Sequence, residues 1–194
     1  MRLFLIPLAA CALALPGGRY APDARAGSAQ RMELEELVQG SDLVLAGRVL
    51  SAEARRDLSG HPETRLVLAV EHAFLGDVGP EARVTLPGGV LPDGSGMFLA
   101  GMPPIRVGEE LLLLLSAESS RGWRLPIGLE QGKFQLVRDE AGTRWALRGA
   151  RRDPAPAVSG RLRPEAGTFV IEYAELRARI EAELARRPAS GEGR

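Results

Sequence analysis

Cysteine is nearly absent from this 194-residue chain: Cys11 is its single thiol. One cysteine cannot close an intrachain disulfide, so burial of apolar surface has to hold the fold together. Lysine occurs once, at Lys133, and every other cationic side chain is arginine. That bias fits a GC-rich coding sequence; selection for bidentate anion recognition would require the arginines to cluster in space. Formal net charge is zero, which withholds the broad basic field that nucleic-acid binding uses. No apolar run approaches the roughly 20 residues needed to cross a bilayer as a helix. Histidine is scarce, with His61 and His72 alone.

These shortages narrow the chemistry. A catalytic zinc site commonly takes three protein ligands, and no His-Glu-x-x-His is present. His61 reads as a loop histidine before Pro62, and His72 as a strand-surface histidine. Ser95 lies between Gly94 and Gly96, but Asp93 stands where the first glycine of a Gly-x-Ser-x-Gly elbow belongs, so the segment reads as a turn. Gly132-Lys133-Phe134 lacks the Ser or Thr of a phosphate-binding loop. Glu109 and Glu110 are adjacent, so on a strand they point to opposite faces and do not form a catalytic pair. Glu130 and Gln131 beside Gly132-Lys133 read as a structural turn. The expectation is a protein with no catalytic residue, no cofactor and no metal ligand.

What the chain does have is a hydrophobic content of 45%, ample for one domain with a real core. The stretch Val107 to Ser116 carries five consecutive leucines, Leu111 to Leu115. With no polar face, it reads as a strand buried on both sides at the centre of a β domain, a buried helix being the alternative that periodicity alone leaves open. Around it the chain predicts strands at Leu43–Leu50, Thr64–Phe74 and Arg83–Leu86. A short piece at Trp123–Pro126 and a hairpin of Lys133–Val137 with Thr143–Leu147 follow. Gly47 inside the first strand predicts a bulge or bend. Gln30–Gln39 predicts a short helix ending at Gly40. Glu172–Arg187 predicts an amphipathic helix with Tyr173, Leu176, Ile180 and Leu184 on one stripe, stopped by Pro188.

The N-terminus reads as an export signal over residues 1–26. It has Arg2, an apolar run from Leu3 to Leu15, and a small-x-small site at Ala24-Arg25-Ala26. Cleavage there removes Arg2, Arg19, Arg25 and Asp23 and takes the net charge from zero to minus two. It also removes Cys11. The alternative is lipidation at Cys11, since Leu8-Ala9-Ala10-Cys11 matches a lipobox. Cleavage is preferred because the apolar run continues past the cysteine. The resulting division is a signal (1–26), a β domain with its N-terminal helix (27–147), a loop or linker rich in Arg, Pro, Ala and Gly (148–167), and a C-terminal helix and tail (168–194).

Residues 87–104 form a long predicted loop. Glycines and prolines alternate there with Val90, Leu91, Met97, Phe98, Leu99 and Met102. Long ordered loops tend to carry function. Such apolar residues either pack onto the domain or face a partner. The candidate partner-binding residues are Met97, Phe98, Leu99 and Met102, together with the 55–63 tip.

The run Ser41-Asp42-Leu43-Val44-Leu45-Ala46-Gly47-Arg48-Val49, followed by a strand ending near Leu75-Gly76-Asp77, resembles bacterial exported proteins with an OB-like barrel. In those, "ADLVVxGxV" precedes a strand ending in "VEEVLKGD". Pro87-Gly88-Gly89, Gly101-Met102-Pro103, Val107-Gly108-Glu109-Glu110 and Gly128 to Phe134 look like the same group. The early pattern is more distantly similar to the N-terminal domain of tissue inhibitors of metalloproteinases. The resemblance implies a mainly β fold: an OB-like antiparallel barrel with a short N-terminal helix and a C-terminal amphipathic helix. Those inhibitors chelate zinc through a disulfide-anchored N-terminal cysteine, which this chain lacks, so that mechanism does not carry over. The expected function is an exported, non-enzymatic binding or accessory module whose partner is an exported protein, such as a protease. Inhibition of a metalloprotease, or an unrecognised hydrolase, are the alternatives.

Overall fold

A computed structural model describes residues 31–149 and 168–187. The expected export signal with Cys11, the greater part of the 148–167 linker, and Pro188 with the tail lie outside the described residues. The described chain is mainly β. Its elements are α1 (Leu34–Gln39), β1 (Leu43–Arg56), β2 (Pro62–Leu75), β3 (Glu81–Pro87), β4 (Gly89–Val90), β5 (Gly96–Met97), β6 (Glu110–Leu115), a 3-10 turn (Leu129–Gly132), β7 (Lys133–Arg138), β8 (Arg144–Arg148), β9 (Phe169–Glu172) and α2 (Tyr173–Ala185). Seven strands form one antiparallel sheet in the order β3-β2-β1-β6-β7-β8-β9, and β4 pairs with β5 in a separate ribbon.

The leucine strand sits in the middle of that order. Leu111 to Leu115 are all fully buried. Leu112 and Leu114 face one apolar layer with Val44, Ala46, Phe134, Leu136, Ala146, Leu37, Leu176 and Ile180. Leu111, Leu113 and Leu115 face the other, with Leu43, Leu45, Val49, Leu66, Leu68, Val84 and Leu86. Together these five side chains contribute on the order of 10 kcal/mol of apolar burial.

The helices cover the first layer. A six-residue helix is not stable alone, and α1 is held at its start by the Glu33 N–H donating to Glu36 Oε2 at 2.9 Å. Beyond its end, Arg187 donates to the carbonyls of Ser41 (2.9 Å) and Gln39 (3.2 Å). Tyr173, Leu176 and Ile180 of α2 are buried as their spacing predicts, and Leu184 packs at the rim. The C-terminal helix therefore packs on its own sheet.

The second layer is covered by the sheet itself. β1 and β2 are long, and their register shifts three times, once between Ala46 and Gly47. A Cβ at position 47 would collide with the Ala69 carbonyl oxygen, so the close approach at this bulge requires glycine. Residues 124–126 continue along the end of β6 through Ser116 N to Leu125 O (2.8 Å). From there Arg124 N reaches back to Thr85 O of β3 at 2.9 Å. That half of the sheet rolls over, with Met102 and Ile105 filling its mouth. No ladder joins β3 to β6, however, so the described strands form an open, curled sheet and not the closed barrel expected.

β9 has no counterpart in the sequence expectations. Four residues, Phe169–Glu172, are too few for an alternation pattern to register beside a strongly periodic helix. Only pairing with β8 makes them a strand.

Gly47→Ala is expected to lower stability well beyond the ordinary Gly/Ala difference. Leu113→Ala should cost about 2–5 kcal/mol, the range for a buried leucine leaving a cavity. Urea unfolding should show both as lowered midpoints, with the denaturant slope unchanged for Leu113→Ala.

Candidate functional site

The two segments singled out in the sequence meet at one end of the molecule. β1 and β2 run further than expected and leave a tight turn over 57–61. The turn is built by Asp57: its Oδ1 accepts the N–H groups of Ser59 and His61, each at 2.8 Å. The backbone adds Asp57 N to His61 O (2.8 Å) and Gly60 N to Asp57 O (3.0 Å). Asp57 thereby satisfies the turn's donors internally and lifts Leu58 into solvent, where it is fully exposed.

On one side, Arg56 connects this turn to the β4–β5 hairpin. Its guanidinium donates to Gly60 O at 3.1 Å and to Ser95 Oγ at 3.0 Å, and lies 3.5 Å from Asp93. Asp93 organises the hairpin tip as Asp57 does the other turn, accepting Ser95 N–H (2.9 Å) and Ser95 O–H (2.6 Å). Those bonds from Ser95 hold the Asp93 carboxyl below its ordinary value. Ser95 is therefore a turn residue.

On the other side, Arg121 donates to Asp57 Oδ2 at 3.2 Å and meets His61 Nδ1 at 2.9 Å. Its guanidinium also lies over the Trp123 ring, 5.2 Å from the centroid. Trp123 donates its indole N–H to Glu63 Oε2 at 2.9 Å. Glu63 also accepts from Arg55 (2.9 Å) and Arg65 (3.3 Å), and its side chain is 4% exposed. Burial pushes its carboxyl up, but the hydrogen bonds of Trp123 and Arg55 and the charges of Arg55 and Arg65 prevail and hold it low. Burial likewise pushes Asp57 up, and the backbone donors of His61 and Ser59 with the Arg121 charge bring it below its usual range.

The four named loop residues behave differently from one another. Phe98 is 82% exposed. Met97 lies in β5, paired with Gly89, and is half-buried, as is Leu99. Met102 turns back through its N–H to Leu99 O (3.1 Å) and packs against the curled half of the sheet. The loop thus both packs and projects. Its base is fastened by Gly88 N to Pro62 O (2.8 Å). At its far end the Lys133 ammonium donates to Pro104 O and pairs with Glu109 at 2.6 Å. Burial draws the Lys133 amine below its ordinary value, partly opposed by Glu109. Lys133 also lines a shallow cavity of about 20 Å³ with Pro103, Pro104, Glu130, Gln135, Leu147 and Gly149, room for about one water.

Leu58 and Val90, the latter 52% exposed, lie in the two segments singled out in the sequence but were not among the named candidate residues. An apolar residue inside the polar turn run Asp57-Leu58-Ser59-Gly60 is the signal for the first. The two histidines share no site. His61 is in the 57–61 turn, whereas His72, near the other end of β2, faces Glu181 of α2 at 3.7 Å. Glu109 and Glu110 do diverge. Glu110 pairs with Arg48 (2.7 Å) and with Arg144 (3.1 Å). Arg144 is buried; it also pairs with Glu71 and lies over the Tyr173 ring, 4.5 Å from its centroid. This network fastens the start of α2 to four strands, β1, β2, β6 and β8. Among the described residues no three or more His, Cys, Asp or Glu side chains are grouped to hold a metal ion, and no helix is long and apolar enough to cross a membrane.

No family model matches the chain, and no curated protein matches it.

Glu63 and Asp57 have folded values below their unfolded ones. The stability they contribute is complete above the unfolded carboxylate range and is lost as pH falls through the folded values. Glu63→Gln is expected to cost about 1–2 kcal/mol at neutral pH, because both arginines keep access to water. It should also flatten the acid limb of the stability–pH curve. Urea midpoints for wild type and variant, taken from neutral to acid pH, check this; parallel curves would mean that Glu63 is not coupled to folding.

Proposed function

We propose that this protein is an exported, non-enzymatic binding or accessory module on an OB-like scaffold. Its contact surface is the 57–61 turn together with the 87–104 loop. The curl of β1–β2–β3 around β6 supports the OB-like reading, with residues 124–126 standing at the seam. The observation that carries the function is Phe98: a large aromatic side chain 82% exposed on a loop fastened at both ends. A floppy loop can turn an aromatic inward. This one presents it, with Leu58 and Val90 on turns that Arg56 ties together. Exposed aromatics on a preorganised surface are the usual anchors of recognition, because little ordering entropy remains to be lost on binding. The non-enzymatic reading rests on side chains already committed elsewhere: Ser95 to Asp93, His61 to Asp57 and Arg121, and His72 to α2. Export rests on the N-terminal pattern of the sequence.

The test is capture by the tagged full chain from an exported protein fraction, read by mass spectrometry, with Phe98→Ala alongside. Phe98 makes no core contact, so the variant should unfold at the wild-type temperature. It should lose the partner captured by wild type, with affinity falling about 30-fold or more for an aromatic anchor. Undiminished capture by a folded Phe98→Ala would remove the loop from the binding surface.

A further inference from the structure

The arginines of this chain, scattered in sequence, are gathered in space around the Leu58 turn. Arg55, Arg56, Arg65 and Arg121 come from both arms of the β1–β2 hairpin and from the 116–125 connection. Their side chains are between 44% and 53% exposed. The carboxylates that Arg55, Arg65 and Arg121 pair with lie beneath them, Glu63 4% and Asp57 11% exposed, whereas Asp93, the partner of Arg56, is 61% exposed. Three acids share the surface, one of them Glu118, exposed on the same connection as Arg121 and paired with Arg124. Asp93 is exposed but engaged by Ser95 and Arg56, and Glu53 stands opposite Arg65 across the ladder. At Arg55, Arg65 and Arg121 a ligand approaching the tip therefore meets the guanidinium before its carboxylate, and the nearer charges dominate what it feels. Leu58 projects from the middle of this ring.

We infer that the tip is a docking site for an anionic phospholipid surface: Leu58 enters the acyl boundary while Arg55, Arg56, Arg65 and Arg121 meet the headgroup phosphates. This rests on the reading of the tip as a binding surface and names the class of partner. The shape favours lipid over a folded protein. Leu58 is the apex of a convex turn held rigid by four bonds to Asp57. A protein partner would have to supply a matching pocket, whereas a fluid interface needs none. Guanidinium groups suit bidentate phosphate contact, and apolar insertion and basic charge act together in interfacial attachment. Each term is small, so the attachment is reversible and weakens with salt.

The experiment is co-sedimentation of the full chain with phosphatidylcholine vesicles, with and without phosphatidylglycerol, at low and high salt. Leu58→Ser is the test variant. Leu58 is fully exposed, so its replacement leaves the fold intact, and matched melting temperatures will verify this. Val107→Ser is the control, an exposed apolar residue in the turn that pairs with Val49 toward the middle of β1. The expected result is binding only to phosphatidylglycerol vesicles and its loss in high salt. Leu58→Ser should reduce it about tenfold or more, the fold-change for one leucine withdrawn from an apolar phase, and Val107→Ser should not change it. Absence of binding to anionic vesicles at low salt, or binding that Leu58→Ser leaves unchanged, overturns the inference. If vesicles fail while a protein is still captured through Phe98, the lipid assignment falls and the binding-module reading stands. If both fail, the surface itself is misassigned.

Discussion

Burial of one strand on both faces is the constraint from which the rest of this fold follows. Leu111 to Leu115 alternate between two apolar layers and leave no side for water. A strand of that kind cannot lie at an edge or on a one-sided sheet, because half of its leucines would be solvated. One layer has to come from helices, and α1 and α2 supply it. The other comes from the sheet curling over, which requires long, bulged partners in β1 and β2. The bulge at Gly47 and the seam at Thr85–Arg124 are consequences of that need.

The curl also produces the tip. Because β1 and β2 overrun the core, their connecting turn projects beyond it, and the polar groups there must be satisfied without help from the sheet. Asp57 and Asp93 do this locally, each capping its own turn, and Glu63 does it across elements by joining Arg55, Arg65 and Trp123. The result is a surface whose backbone is fixed by carboxylates, with Leu58, Phe98 and several arginines outside it. Rigid presentation of Leu58 and Phe98 is thus a by-product of how the tip satisfies its hydrogen bonds, and it is what makes the tip suited to recognition.

Much of the architecture was legible from pattern. The two long strands, the β7–β8 hairpin and the Tyr173–Leu176–Ile180 stripe each have a period that names the element, the five-leucine run is marked by its lack of any polar face, and each is present. β9 was not legible, because four residues carry too little periodicity and its pairing is decided by β8. The expected barrel closure was not legible either: whether β3 meets β6 by a ladder or only touches the connection beside it, through Arg124 and Thr85, depends on curvature, which no local pattern encodes. At the candidate site, the 87–104 loop stood out by composition. Its division into a packed Met102 and an exposed Phe98 did not, since both are apolar residues among glycines and prolines.

By itself the sequence determined that the core would form without disulfides, that Leu111–Leu115 would be central, and that no nucleotide loop or zinc motif was present. These follow from residue identity and spacing, which are local properties. The tertiary structure decided which distant residues share a surface. Arg55, Arg65 and Arg121 became neighbours through strand register and through one connection folding back on β3. The same packing buried Glu63, half-buried Asp57 under Arg121, and left Leu58 outside. Burial and neighbourhood are set by long-range contacts, so charge that sums to zero along the chain can still be sorted in space.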